Sequence, residues 1–189
     1  VVLATGSIER PLVFGNNDRP GVMLASAVQS YLNRYAVLPG KRAVVFTNND
    51  SAYQVAADML AAGIEITSIV DSRKNPSPAV RELAGDTPIF TNHVVSHAMG
   101  SRRVSAVSVR PRETGSARTI PCDLLCTSGG WNPTVHLYSQ SRCTLRYDKK
   151  LTAFVPDKAM QNCCCVGAAN GQFELQNILA DGMELGSRA

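Results

Sequence analysis

Apolar and polar positions alternate between two regimes along the chain, and the clearest change of regime lies between Gly40 and Asp71. Ala43, Val44, Val45 and Phe46 form a short apolar run without helical period, bounded by Pro39-Gly40 and by Thr47-Asn48-Asn49-Asp50. Such a run predicts a parallel strand buried on both faces. Ala52, Val55, Ala56, Met59 and Leu60 then recur at three- and four-residue steps, which predicts a helix capped by Asp50 or Ser51 and closed by Gly63. Ile64, Ile66, Ile69 and Val70 predict a second strand ending on Asp71. Strand, helix, strand, with an acid about 20 residues beyond the turn, is the layout of a dinucleotide-binding unit.

The same pattern yields the flanking elements. Val1–Ala4 reads as a strand, and Ser26–Tyr35 as an amphipathic helix with Leu24, Val28, Tyr31, Leu32 and Tyr35 on one side. Pro78 opens a short helix to Leu83, and Ile89-Phe90 and Val94-Val95 are short strands. Residues 104–109 and 118–120 predict an antiparallel pair, 122–127 a buried strand and 128–133 a glycine-rich turn. A helix is expected over Val135–Gln140, strands over 145–147, 151–155 and 163–166, and a last helix from Gln172 to Ala180 that closes on Gly182.

The central turn lacks the residues that would bind a dinucleotide. Thr47, Asn49 and Ala52 stand where G-x-G-x-x-G has its glycines, and the second glycine lets backbone approach the pyrophosphate. Asp50 adds negative charge where a phosphate needs bare amide groups. The sequence therefore predicts Asn49 above the helix N-terminus, an internal cap, and Asp71 as a surface carboxylate with no ribose to hold.

Composition narrows the class. The 189 residues are 44% hydrophobic and 18% charged, ordinary for a globular protein. Val1-Val2-Leu3-Ala4 begins mid-strand with no methionine or cleavable leader, so an internal piece of a longer polypeptide is expected. No apolar run would span a bilayer, which gives the expectation of no membrane. The net charge of +4 is spread over scattered arginines and lysines without interleaved aromatics, and no nucleic acid is expected. The six cysteines lack metal-ligand spacing: Cys122 and Cys126 are expected on one strand face, and Cys163, Cys164 and Cys165 alternate across another. They read as small buried hydrophobes in a reducing compartment, with no metal site. His93 and His97 are four apart but on a predicted strand, His136 has no nearby nucleophile, and Ser128-Gly129-Gly130 lacks the nucleophile elbow, so no catalytic residue is assigned.

VVLATGSIERP, LPGKRAVVFTNNDSAYQVAADMLAAGIEITSIVDSR, CDLLCTSGGWNPTVHL and VGAANGQFELQNILADG follow one another as in oxidoreductases with two dinucleotide-binding domains. More narrowly, the chain resembles the alpha subunits of heterotetrameric sarcosine oxidase. The resemblance implies an α/β fold: a Rossmann-like parallel sheet with an antiparallel β-meander, inserted into remnants of a first dinucleotide-binding domain. Residues 1–38 and 131–189 would be those remnants, and 39–130 the inserted domain with its degenerate glycine motif. The resemblance also implies NAD in the first domain, FAD and FMN elsewhere in the complex, other oxidase subunits as partners, and a cytoplasmic location. Carried over by motif, Thr5 and Gly6, with Gly167, Ala168, Phe173 and Leu175, would face the cofactor; Ala168 stands where flavoprotein relatives have an aspartate. A structural and assembly module without a ligand, or the equivalent subunit of an opine, proline or glycine oxidase or dehydrogenase, stays open beside this reading.

Overall fold

The computed structural model describes residues 1–188. In chain order, β1 (Val2–Leu3) and β2 (Ser7–Glu9) are followed by β3 (Val22–Leu24), α1 (Ala25–Tyr35), β4 (Arg42–Thr47), α2 (Ser51–Ala61) and β5 (Glu65–Asp71). Next come α3 (Pro78–Leu83), β6 (Ile89–Thr91), β7 (His93–Met99), β8 (Ala106–Pro111), β9 (Arg118–Pro121) and β10 (Leu124–Ser128). The remainder is β11 (Trp131–Pro133), α4 (His136–Gln140), β12 (Leu145–Asp148), β13 (Ala153–Pro156), β14 (Cys164–Cys165), a 3₁₀ turn (Gly167–Asn170) and α5 (Leu175–Gly186).

Contacts divide the chain into two units, Arg10–Gly130 and the pair of segments Val1–Glu9 and Trp131–Ala189. Residues 10–38, expected with the first domain, pack in the central unit. Their β3 pairs in parallel with β10, and Gln29 and Asn33 of α1 donate to Asp58 on α2 at 2.8 and 2.9 Å.

The central unit contains a five-stranded parallel sheet in the order β3-β10-β4-β5-β6. Alternation along β4 explains why both of its faces are buried. Ala43 and Val45 join α1 and α2 residues such as Val28, Ala56 and Met59 in one core cluster. Val44 and Phe46 point the other way and join Val95, Val107, Val109 and Ile120 in a second. The second cluster is lined by an antiparallel meander, β7-β8-β9, so helices cover one sheet face and strands the other. The expected parallel sheet and meander are both present, although β7 is a seven-residue strand, longer than the Val94-Val95 pair that the sequence predicts.

Cys122 and Cys126 do not share a face: Cys126 lies in the helix-side cluster and Cys122 in the meander-side cluster. The strand starts only at Leu124, because Asp123 turns its carboxylate back to accept the Lys41 and Arg42 amides, each at 2.9 Å. That bend breaks the two-residue period between the cysteines.

In the other unit β1 and β14 are parallel neighbours, with Val2 opposite Cys164 and Leu3 opposite Cys165. β2 pairs antiparallel with β11, a strand where a glycine-rich turn was expected, and β12 with β13. The last helix also differs from expectation: it starts at Leu175 and runs through Gly182 to Gly186. Gly171, in the left-handed region at φ 79°, ends the preceding 3₁₀ turn and delays the start, while an exposed glycine costs a helix only about 1 kcal/mol. No helix among the described residues is long and apolar enough to cross a membrane.

Candidate functional site

Two strand-to-helix turns stand where an α/β protein holds a nucleotide, at the carboxyl ends of parallel strands. The first joins β4 to α2 in the central unit, and its side chains fill it. Thr47, fully buried, accepts the Asn49 amide at 3.1 Å and donates to the Asn49 carbonyl at 3.0 Å. The Asn49 Oδ1 accepts from the Ser51 amide at 3.1 Å and from its hydroxyl at 2.6 Å. Its Nδ2 donates to the carbonyl and hydroxyl of Ser128, at 3.1 and 3.0 Å, at the end of neighbouring β10. One asparagine thereby caps the helix and ties two strand ends together, across the place a pyrophosphate would need.

The expected capping by Asp50 or Ser51 is corrected here. Asp50 makes no side-chain cap bond to α2, and its carboxylate pairs with the Arg73 guanidinium instead. Asn49 serves the Ser51 amide, and the Tyr53 amide donates to the Asp50 carbonyl at 3.1 Å, while the Asp50 side chain turns to Arg73.

Asp71 is likewise not the surface carboxylate expected from the sequence: it has no exposed surface. Its Oδ2 accepts from the Tyr53 hydroxyl at 2.9 Å and from Arg73 Nη2 at 2.8 Å, and its Oδ1 from the Arg73 amide at 2.9 Å and Nε at 3.1 Å. A buried carboxylate needs such donors. Burial first, and then the neighbouring Asp71 charge, push the Tyr53 hydroxyl above its ordinary range, so it stays a donor. Arg73, held by two acids, is raised although its burial works the other way. The acid that would meet a ribose is therefore fully committed within the protein. Tyr53 and Arg73 were missed from sequence; the one signal was Arg73 standing two residues beyond the strand-end acid.

The second turn pair belongs to the other unit. Because β1 and β14 are parallel and in register, and the Val166 amide donates to the Leu3 carbonyl at 3.0 Å, the segments leaving them emerge side by side. Thr5 and Gly6 follow β1, and Gly167 and Ala168 follow β14. Gly6, at φ 71°, has nothing within 4 Å of where a Cβ would stand. The Thr5 hydroxyl donates to the Thr134 carbonyl at 2.6 Å, and the Gly6 carbonyl accepts the Thr134 amide at 2.9 Å.

Gly167 serves packing more than approach. Its amide donates to Asp181 Oδ2 at 2.8 Å, and a Cβ would meet Ile178 at 3.2 Å. Asp181 was not anticipated; it lies on the part of α5 beyond the expected helix end. Ala168 is half-buried on the 3₁₀ turn, Phe173 is 37% exposed, and Leu175 is 68% exposed at the first position of α5. Thr5 and Gly6 thus follow one strand of the parallel pair and Gly167 and Ala168 the other, with Phe173 and Leu175 further along the chain.

A separate groove of about 720 Å³ in this unit is lined by Ile8, Val135, His136, Tyr147 and Phe154 among others, and by none of those six residues. His93 bonds the Thr91 carbonyl at 2.7 Å, and His97 pairs with Gly15. No three His, Cys, Asp or Glu side chains among the described residues are placed to hold a metal ion.

Comparison with known proteins agrees with this architecture. No protein-family model matches the chain. It is 44% identical over 196 aligned residues to the sarcosine oxidase subunit alpha of a Corynebacterium species, covering all of this chain and 20% of that protein. The sarcosine oxidase subunit alpha of Rhizobium meliloti is 38% identical over 181 residues, covering 96% of this chain and 18% of its own length. The chain therefore spans about a fifth of the length of these relatives. Among solved structures, T. acidophilum thioredoxin reductase superposes with a TM-score of 0.76 at 20% identity, over 96% of this chain and 62% of the other. That likeness concerns the fold.

Proposed function

We propose that this chain, a homologue of sarcosine oxidase alpha subunits along its whole length, works as part of such a subunit in the oxidative demethylation of sarcosine by a larger complex. In this reading residues 1–9 and 131–188 help complete a first dinucleotide-binding domain that holds NAD. Residues 10–130 are an inserted Rossmann-like module without a dinucleotide of its own, kept for its shape and for contact with other subunits of a cytoplasmic oxidase. Amine oxidation belongs to FAD and FMN elsewhere in the complex, and no residue of this chain is assigned to it.

The carrying observation is the contrast between the two turns. In the central unit Asn49 fills the turn and Asp71 is buried against Tyr53 and Arg73, so the residues present do not fit a dinucleotide. Beside β1 and β14, Gly6 leaves open space at a parallel strand end, which fits close approach of a cofactor. Thr5, Gly6, Gly167, Ala168, Phe173 and Leu175 are the residues proposed to line it. Of these, Thr5 and Gly167 hold the turns through Thr134 and Asp181, while Gly6, Ala168 and Phe173 are left to face the ligand.

Titration of the full-length subunit with NAD, read by calorimetry and by thermal shift, tests the assignment. Gly6→Leu should weaken binding at least about tenfold, a change of about 1.4 kcal/mol. Asn49→Ala should leave the affinity unchanged. Binding lost with Asn49→Ala and kept with Gly6→Leu, in variants of unaltered circular dichroism, would reverse the assignment of the two turns.

A further inference from the structure

The loop after α4 carries Cys143, and the segment before β14 carries Cys163, 20 residues later. Their sulfurs are 3.4 Å apart, both thiols being free. The surroundings treat the two unequally. Cys143 is buried, and the Met160 amide donates to its Sγ at 3.3 Å. Cys163 is half-buried and opens the pair to solvent.

We propose that Cys143 and Cys163 are a peroxide-reactive dithiol that closes to a disulfide, with Cys143 as the attacking sulfur and Cys163 as the resolving one. The Cys143 thiolate attacks one oxygen of hydrogen peroxide; an S–O bond forms, the O–O bond breaks and hydroxide leaves. The Cys163 sulfur then attacks the resulting sulfenic acid; the S–S bond forms, the S–O bond breaks, and the Cys163 proton leaves with the hydroxyl as water. Two electrons pass from the two thiols to the peroxide.

Division of roles follows from the donors. Burial opposes the charged form of Cys143, but the Met160 and Gln161 amides, the Cys163 thiol and the Tyr138 hydroxyl together draw it below the ordinary thiol value. Cys163 is pushed up, chiefly by its hydrogen bond to Cys143. Cys122 and Cys165 are in the opposite state. Burial pushes Cys122 up to about 12 and Cys165 up to about 11, which keeps both as inert thiols. A bond between 143 and 163 needs only the sulfurs to close from 3.4 Å to disulfide length, about 2 Å. It would clamp the β12–β13 hairpin, whose Tyr147 and Phe154 line the groove of this unit.

The test treats the full-length subunit with hydrogen peroxide, alkylates free thiols and maps the peptides by mass spectrometry. The Cys143 and Cys163 peptides should be recovered joined, and separated by dithiothreitol, while Cys122 and Cys126 stay alkylated. In Cys163→Ser, Cys143 should accumulate as a sulfenic acid trapped by dimedone; in Cys143→Ser, Cys163 should stay alkylated. Full alkylation of both peptides after peroxide, or joining through Cys164 or Cys165 instead, would overturn the proposal. The wild-type map decides this even where a serine variant fails to fold.

Discussion

The hydroxyl of Tyr53, in the first turn of α2, donates to Asp71 at the end of β5 at 2.9 Å, and neither residue has exposed surface. This bond closes the strand-helix-strand unit on itself, because the acid that could have met a ligand now meets the helix that precedes it. Tyr53→Phe keeps the ring but removes the donor. Since Arg73 still serves the carboxylate, the expected cost is about 1 kcal/mol in urea unfolding of the central unit.

Arg73→Ala should cost more. It leaves the Asp71 carboxylate buried without a countercharge and frees Asp50, and breaking one side of such a pair is worth about 3 kcal/mol. Arg73→Lys should recover only part of it, since a single ammonium cannot reproduce the guanidinium fork on Asp71. Equal stability of the alanine and wild-type proteins in denaturant would contradict the pairing.

Restoring glycine at Thr47, Asn49 and Ala52 while neutralising Asp50 is not expected to create NAD binding. The substitutions clear the turn but leave Asp71 turned inward to Tyr53 and Arg73. They also remove the Asn49 bonds to Ser51 and Ser128, so a loss of about 2 kcal/mol or more should accompany them. Calorimetry on the quadruple variant checks the first point and denaturant unfolding the second.

Acid should loosen the α1–α2 contact. Although burial works against its charged form, Asp58 accepts from Gln29, Asn33 and Gln54, which hold it below the usual carboxylate value. A folded value lowered in this way gives stability that is complete above the unfolded value of about 3.9 and lost as pH falls through the folded one. The midpoint of thermal unfolding should therefore drop in that window, and drop less steeply in Asp58→Asn.

Gly21→Ala should disturb the β3 edge of the sheet. At φ 96°, its Cβ would stand 2.6 Å from a Val104 methyl and 2.9 Å from the Asp123 carbonyl. The combination of left-handed backbone and overlap should cost about 2 kcal/mol, read as earlier amide exchange in β3 and β10.

The sequence by itself determined the elements whose cause is local. The apolar run at 43–46 reads as a buried strand because both of its faces are covered, and the three- and four-residue recurrence after Ser51 reads as a helix because one face is. The missing glycines at Thr47, Asn49 and Ala52 were legible because each position has its own steric requirement. Strand order was not legible: β10 lies between β3 and β4 although it follows β3 by about a hundred residues and β4 by about eighty, since pairing depends on surfaces that local period does not specify. The fates of Asp50 and Asp71 were decided only in three dimensions. A strand-end carboxylate looks the same in sequence whether it meets a ribose, water, or a tyrosine and an arginine. Which of these it meets depends on side chains that reach it across the fold, as Tyr53 reaches Asp71 and Cys163 reaches Cys143.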